Sequence, residues 1–478
     1  MRTLNVRIHR AVMRGGDRAV RSARTPNRDL RSLLGQAGWS GARLAREVNS
    51  LGAEQGTALH YDRTSVAHWL AGSRPRPPVP ALVAEALSRH LGRSVRPQDT
   101  GLTARGQDLG DLPGAPPGEG SGVDRLDHLL RLTDRRTAAL LGAYSLGALA
   151  VPHWPSAPVR GPAPRAGTGP AIGMAHVESA RELLDVLARG DAVFGAGRIR
   201  QPLRRYLATT LLPWLRADLK PAVRGELFGV AARLTYLCAF AHFDTNHQAA
   251  AQHFYLTSAE LAREAGDHVG YALALRGLSV QAHALGHHAA AQRLAEQAVR
   301  VGIRHAPPHQ QAFFLGQLAV TGAVLGDSGH VRHLVRAEKC LETASDGIPP
   351  VGSFHLGSLA LQHAAVARSQ GRHRAAVEAL GRTLRHRPAD ERRSHAVCLA
   401  ELAETQLTIG HLDQACHTWH AFLDLYPHIS SARADDRLRV LTARLRPHAT
   451  NQYAALLLAR ARETGRRPRT AGTPRSDH

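Results

Sequence analysis

Lysine is almost missing from this 478-residue chain, and the motifs of several common enzyme classes are missing as well. Only Lys220 and Lys339 are lysines, and neither follows a glycine, so no phosphate loop ending in Gly-Lys-Ser/Thr is present. The sequence also has no HExxH motif, no GxSxG motif and no GxGxxG fingerprint after a strand. These absences predict that the chain is not an enzyme and needs no cofactor.

Cysteine is scarce too, which bears on disulfides and metal sites. The four cysteines are scattered and form no CxxC pair, so we expect buried thiols in a reducing compartment. Histidine is abundant, and the densest group is His411, His417 and His420. Because no acidic or cysteine partners share its helical spacing, we predict no metal site.

No apolar run is long enough to cross a bilayer. The longest run, from Thr137 to Val151, falls short of the roughly 20 residues that a spanning helix needs. It follows Arg135-Arg136 in the manner of an export signal, but it lies deep in the chain, and no apolar signal segment is visible at the N-terminus. We therefore expect a cytoplasmic protein with no membrane role.

Aromatic residues are also few, at 5%, so alanine and leucine supply most of the 43% hydrophobic content. Both residues favour helices and neither is β-branched, which predicts an all-α fold. The formal net charge of +22 suits polyanions such as nucleic acid. Arginine supplies 59 of the 61 basic residues, as a G+C-rich genome would also produce, so the position of the arginines matters more than their number.

Changes in composition divide the chain into seven predicted segments, because glycine- and proline-rich stretches interrupt the helical patterns. The segments are a basic arm (1–26), a compact helical domain (27–102), a linker (103–122), an apolar helix (123–151), a second linker (152–172), a repeat domain (173–463) and a disordered tail (464–478). Arginines recur every three or four residues in the arm. This spacing fits a helix that grips a DNA backbone, but also a disordered arm or a true start at Met13.

The repeat domain places two helices around a turn, five times in series. The turn residues of the five units are Asp244, Gly286, Gly326, Gly371 and Gly410. The residues five positions further on are small in four units, at Ala249, Ala291, Ala376 and Ala415, with Val331 as the exception. Small residues let paired helices approach closely, and glycine turns the chain. The series resembles a tetratricopeptide array and predicts a helical solenoid.

The compact domain has the pattern of a five-element helical module, and four of its helices can be assigned. Gly38 ends the first, and Ser40 can cap the second. The third begins at Arg63 and buries Val66, Trp69 and Leu70 at the i, i+3, i+4 spacing of one helix face.

This pattern resembles the helix-turn-helix of the Cro and phage-repressor type, through LAREV in the second helix and SVAHWLAGSRPRP in the third helix and following loop. In that family the exposed N-terminal face of the third helix enters the major groove. The resemblance implies base contacts by Arg63, Thr64, Ala67 and His68, and phosphate contacts by Ser40, Arg74 and Arg76. Arg63 is the best candidate to read a guanine.

One departure separates the sequence from that family. The segment from Asn49 to Tyr61 is about ten residues longer than the family's tight turn, so either the second helix is extended or a loop is inserted. A helical domain that keeps this fold without binding DNA, or that binds protein, is the alternative interpretation.

The whole arrangement resembles actinobacterial regulators that pair such a helix-turn-helix with a tetratricopeptide region. The shared stretches are AGWS, SVAHWLAG, DRRTAALLGAYSLGALAVP and LAREAGDH. The resemblance implies a sequence-specific transcriptional regulator, often a repressor of differentiation or antibiotic production. The alternative is a tetratricopeptide adaptor that binds proteins and not DNA.

A homodimer on double-stranded DNA is the expected assembly, because helix-turn-helix modules normally read two half-sites. The predicted apolar helix also needs a partner surface to cover Leu140, Leu141, Tyr144 and Leu149.

The concave groove of the repeat array is the second predicted binding region. In a tetratricopeptide array certain positions of each repeat face this groove, and here they include Arg276, His283, Phe313, Arg368 and Glu404. Two arginines with an aromatic residue between them suit an extended peptide or a small acidic ligand. The arginines would bind its carboxylate through bidentate hydrogen bonds. The same side chains also fit a protein-docking surface or a merely solvated groove.

Overall fold

The computed structural model describes residues 25–54, 59–91, 95–103, 121–132, 144–149, 154, 172–344, 351 and 354–466. Within these ranges the chain forms helices and turns and no β-strand, which confirms the all-α prediction there. Most of the predicted arm, of both linkers and of the tail lies outside the described residues. Among the described helices, none is both long and apolar enough to cross a membrane.

Four helices and a 3-10 turn form the N-terminal unit around their own apolar core. Their bounds are α1 Arg28–Ala37, α2 Gly41–Glu54, α3 Arg63–Leu70, α4 Val79–Leu91 and the turn Pro97–Thr100. The buried amide of Asn27 caps α1 by accepting from Leu30 N at 2.9 Å, and it donates to the carbonyl oxygen of Thr100 at 2.9 Å. One side chain therefore ties the first helix to the last turn of the unit.

Sixteen further helices follow in the described residues. Their bounds are α5 Gly122–Leu132, α6 Met174–Phe194, α7 Ala196–Tyr206, α8 Leu212–Arg216, α9 Pro221–Asp244, α10 Gln248–Ala265, α11 His268–Ala284, α12 His288–Gly302, α13 Pro308–Val324, α14 His330–Glu342, α15 Leu356–Ser369, α16 His373–His386, α17 Arg392–Thr408, α18 Leu412–Leu425, α19 Ala432–Leu445 and α20 Gln452–Arg466. A π-helical turn, Leu207–Leu211, joins α7 to α8.

Helices α9 to α18 form five antiparallel pairs that stack into a solenoid-like array. Four of the connecting turns contain a glycine with left-handed backbone, at φ +83° for Gly286, +78° for Gly326, +69° for Gly371 and +87° for Gly410. Glycine adopts this conformation at little cost because it has no Cβ. The predicted helical solenoid and these four turns are thus confirmed.

The turn residue predicted for the first unit is wrong by two positions. Asp244 is the buried last residue of α9, and Asn246 takes the left-handed conformation at φ +63°. Asparagine is one of the few residues besides glycine that adopt it readily. The small residue five positions on is therefore Ala251, which is fully buried, and not Ala249.

The segment predicted as one apolar helix from 123 to 151 has a different structure. It is α-helical only over Gly122–Leu132 among its described residues, and a 3-10 turn, Gly147–Leu149, follows later. Tyr144 is 3% exposed and Leu149 is partly buried, both against the array of the same chain, while residues 140 and 141 lie outside the described ranges. Tyr144 and Leu149 are thus covered by residues of the same chain.

The array closes on itself through α6, which packs against both α9 and α17. Gly197 N donates to the carbonyl oxygen of Ser430 at 2.9 Å, and Ser430 N donates to that of Phe194 at 2.7 Å. A Cβ at Gly195, which has φ +82°, would lie 2.7 Å from the Ser430 carbonyl oxygen. Glycine is therefore required where the α6–α7 junction meets the segment before α19.

Buried charges lie where α6 packs against α9 and α17, a region called the closure below. The Arg393 guanidinium on α17 pairs with Asp191 on α6 at 3.1 Å, and Ser431 Oγ donates to Asp244 at 2.9 Å. Burial raises the pKa of Asp191 to about 6, against the opposing effect of Arg393. The closure thus depends on residues about 200 positions apart in the chain.

Candidate nucleic-acid interface

Helix α3 is anchored by its buried face and capped at its N-terminus. Val66 is fully buried and Trp69 nearly so, with Tyr61 edge-on to the Trp69 ring at 5.2 Å. Asp62 accepts from Ser65 N at 2.8 Å, and Ser65 in turn contacts Asp62 N, which completes a capping box. These hydrogen bonds with Ser65 lower the pKa of Asp62, and the opposite face of α3 is left to solvent.

The long segment before α3 is helical in its first part only. Helix α2 continues to Glu54, residues 59–62 are not helical, and residues 55–58 lie outside the described ranges. The Asn49 side chain then fastens the chain ahead of α3, because it donates to the Tyr61 carbonyl oxygen at 2.8 Å and accepts from Tyr61 N at 2.9 Å. At the start of α2, a Cβ on Gly41 would lie 3.3 Å from a Val66 methyl carbon. Helix α2 therefore contacts α3 directly at Gly41 and holds the residues that lead into α3 through Asn49.

All seven residues predicted to face DNA are exposed: Ser40, Arg63, Thr64, Ala67, His68, Arg74 and Arg76. Four of them share the open face of α3. The chain turns back after the helix, because Ser73 N donates to the His68 carbonyl oxygen at 2.9 Å. Among the described residues, no carboxylate lies within ion-pair distance of Arg63, Arg74 or Arg76. Ser40 accepts from Arg43 N at 3.3 Å and so sits at the start of α2 as predicted.

Sequence reasoning missed Arg43 as a candidate. It is exposed at the start of α2, and its guanidinium lies over the ring of Trp39 at 5.3 Å. Stacking on an indole restricts the guanidinium while leaving its edge free to donate. The available signal was its place three residues after the Ser40 cap, beside the first backbone N–H groups of the helix.

A short bridge links this unit to the array. Leu146 N donates at 3.0 Å to Glu85, a buried residue of α4 that also pairs with Arg89 at 2.9 Å. Next to it, the Ser145 backbone exchanges two hydrogen bonds with the Gln252 side chain on α10, at 2.8 and 2.6 Å. The bridge, residues 144–149, thus contacts α4 on one side and the array on the other.

Tyr144 completes the bridge by stacking on His287, which lies in the turn before α12, with ring centroids 5.6 Å apart. Burial raises the pKa of Glu85 to about 7, although the Arg89 guanidinium opposes that shift. Burial, and then Arg89, lower the pKa of His287 to about 4, so that ring is neutral at physiological pH.

Glu85 should make the stability of the chain depend on pH. Between about pH 4.5 and 7 the folded chain keeps a proton on Glu85 that the unfolded chain has lost, so stability falls as pH rises through that window. The contribution is at most about 3 kcal/mol. In urea unfolding at about pH 5 and pH 8, Glu85→Gln should lose this difference and the control Glu47→Gln should keep it. Equal pH dependence in all three proteins would contradict the assignment.

The five predicted groove residues fall into separate groups. Arg276 is buried with its guanidinium 3.3 Å from the Phe313 ring centroid. Arg368 pairs with Glu401 at 2.8 Å, and Glu404 pairs at 3.0 Å with Arg437, a residue that also contacts Glu401. His283 lies against the ring of His288 at 5.2 Å, and burial lowers its pKa. Arg368 is thus neutralised by its own chain, while Arg276 keeps the predicted aromatic neighbour.

Comparison with known families gives one match in this region. A sequence model of the family described as the SP15 N-terminal domain matches residues 30–103, which run from α1 to just beyond the 3-10 turn. No curated protein matches the chain. The chain is therefore similar to that family over its N-terminal unit.

Proposed function

We propose that the protein is a transcriptional regulator that binds double-stranded DNA through a helix-turn-helix unit and carries a tetratricopeptide-like array for sensing. More particularly, it acts in the cytoplasm as a sequence-specific repressor of differentiation or secondary metabolism, by its resemblance to actinobacterial regulators of that kind. Its partners are operator DNA, a second copy of the chain, and a ligand or protein at the array.

The observation that carries the proposal is the open face of α3. This face and the segment after it present three arginines with no carboxylate partner among the described residues. An exposed α3 face is the geometry that a recognition helix needs, and unpaired guanidinium groups can bond both phosphates and guanine. Asn49 and the Asp62 cap support it, because they hold α3 in a defined position against α2.

The bridge supports a link between sensing and DNA binding. Its hydrogen bonds to Glu85 and Gln252 give a shift in the array a direct route to α4. Linkage requires that a ligand which alters DNA affinity is itself bound differently by the DNA-bound chain.

Binding to duplex DNA should be steeply salt-dependent, since arginine–phosphate contacts release counterions. Arg74→Ala and Arg76→Ala should each weaken binding to cognate and random duplexes alike. Each should also lower the slope of log affinity against log salt by about one. Fluorescence anisotropy across a salt series measures this, with Arg300→Ala on the exposed side of α12 as the control. Affinity that stays flat between low and moderate salt would favour the adaptor alternative.

A further inference from the structure

Arg276 on α11 is a deeply buried cation in the interior of the array. The residue is 8% exposed, its guanidinium lies on the face of Phe313, and its Nε donates to the Phe313 carbonyl oxygen at 3.1 Å. Burial lowers the pKa of Arg276 to about 10, which still leaves it charged at neutral pH.

Two other arginines of the array that are shielded from solvent are paired with carboxylates. Arg393 pairs with Asp191, and Arg387 pairs with Glu391. Arg276 differs, because no carboxylate of the described residues lies within ion-pair distance of it. A buried guanidinium without an anion is strongly disfavoured, so the usual partner of such a group is a carboxylate or a bound anion.

Tyr236 on α9 is the polar neighbour of Arg276. Its phenol lies close enough to the Arg276 guanidinium for the two groups to interact electrostatically. Because a guanidinium has only donors, this contact does not use the Tyr236 hydroxyl proton, which can be donated to a third group. Tyr255 lies edge-on to Tyr236 with ring centroids 5.4 Å apart. Two kinds of donor, guanidinium and phenol, thus meet beside aromatic walls.

We propose that Arg276 and Tyr236 bind the carboxylate of a small monoanionic ligand whose aromatic or apolar body packs against Phe313. Such a ligand would be the signal for the proposed sensing role of the array, and its biological meaning depends on that role. One negative charge matches the one positive charge of the Arg276 guanidinium, and an apolar body matches the neighbouring rings. Phe354, 5.8 Å from Phe313 between ring centroids, extends the apolar wall.

Thermal unfolding and calorimetry of the full chain with phenylacetate test the site, with phenylacetamide as the neutral probe of the same shape and inorganic phosphate as a second anion. Phenylacetate should raise the melting temperature by binding the folded state, and the other two probes should leave it unchanged. Arg276→Gln should weaken phenylacetate binding roughly 10- to 100-fold, because a charge-assisted hydrogen bond is lost.

Tyr236→Phe keeps the ring and removes only the hydroxyl, so it tests the site if Arg276→Gln fails to fold. It should also weaken phenylacetate binding, whereas Arg293→Gln on the exposed face of α12 should not. Equal effects of phenylacetate and phenylacetamide, no effect of either, or undiminished binding in Tyr236→Phe would overturn the proposal. None of these measurements needs DNA. The ligand proposal can therefore fail or succeed independently of the proposed DNA binding.

Discussion

Arg63→Ala should weaken binding to the cognate duplex by about 5- to 150-fold, which corresponds to ~1–3 kcal/mol for a lost bidentate contact to guanine. It should also relax the preference at one base pair, because the remaining contacts of α3 do not read that position. The Arg63 side chain is exposed, so the folded structure should tolerate the change. Anisotropy on the cognate duplex, on single-base variants and on random duplex measures both effects.

Arg96→Ala is the matched control for Arg63. Arg96 is exposed in the same unit but stands before the 3-10 turn, where it pairs with Asp99 at 3.3 Å. Arg96→Ala should leave the affinity for the cognate duplex nearly unchanged. Equal losses on cognate and random DNA after Arg63→Ala would instead make Arg63 a phosphate contact.

Arg393→Ala should have the largest effect on stability, lowering the free energy of unfolding by about 3–5 kcal/mol. The substitution leaves Asp191 and Asp244 in the closure without their guanidinium partner, and both are buried. Urea unfolding followed by circular dichroism measures the loss. The neighbouring Arg392 is exposed, and Arg392→Ala should change stability by less than about 0.5 kcal/mol.

The loss in Arg393→Ala should grow with pH. Without Arg393, the pKa of Asp191 rises further above its unfolded value, so the folded variant holds a proton that the unfolded chain releases. Stability of the variant therefore falls, relative to the parent chain, as pH rises from about 5 to 8. A constant difference between the two proteins across that range would show that Asp191 is not the group left uncompensated.

The helices and turns of the array could be predicted because their causes are local. A left-handed turn between two helices favours glycine wherever it occurs, and Gly286 and Gly410 show this in the sequence alone. The first unit was mispredicted for the same local reason, since Asn246 also tolerates the conformation and Asp244 looked equally plausible as a turn residue. The exposed face of α3 followed from the spacing of Val66 and Trp69.

The closure and the bridge could not be predicted, because both depend on partners far apart in the chain. Nothing near Asp191 indicates that Arg393 will neutralise it, and the glycines at 195 and 197 look like ordinary breaks between helices. The bridge reads as part of an apolar helix, since composition does not show that Tyr144 will find His287 in its own array. Arg368 was misjudged similarly, because its partner Glu401 lies on the next helix pair.

Sequence-specific DNA binding is tested most directly by selecting genomic fragments of the source organism on purified full-length protein and sequencing those retained. We expect the retained fragments to share a motif with two half-sites roughly 10 base pairs apart, centre to centre, or a multiple of that spacing. Arg63→Ala, selected in parallel, should lose that enrichment. Retained fragments with no common sequence, recovered equally by both proteins, would contradict the proposed function.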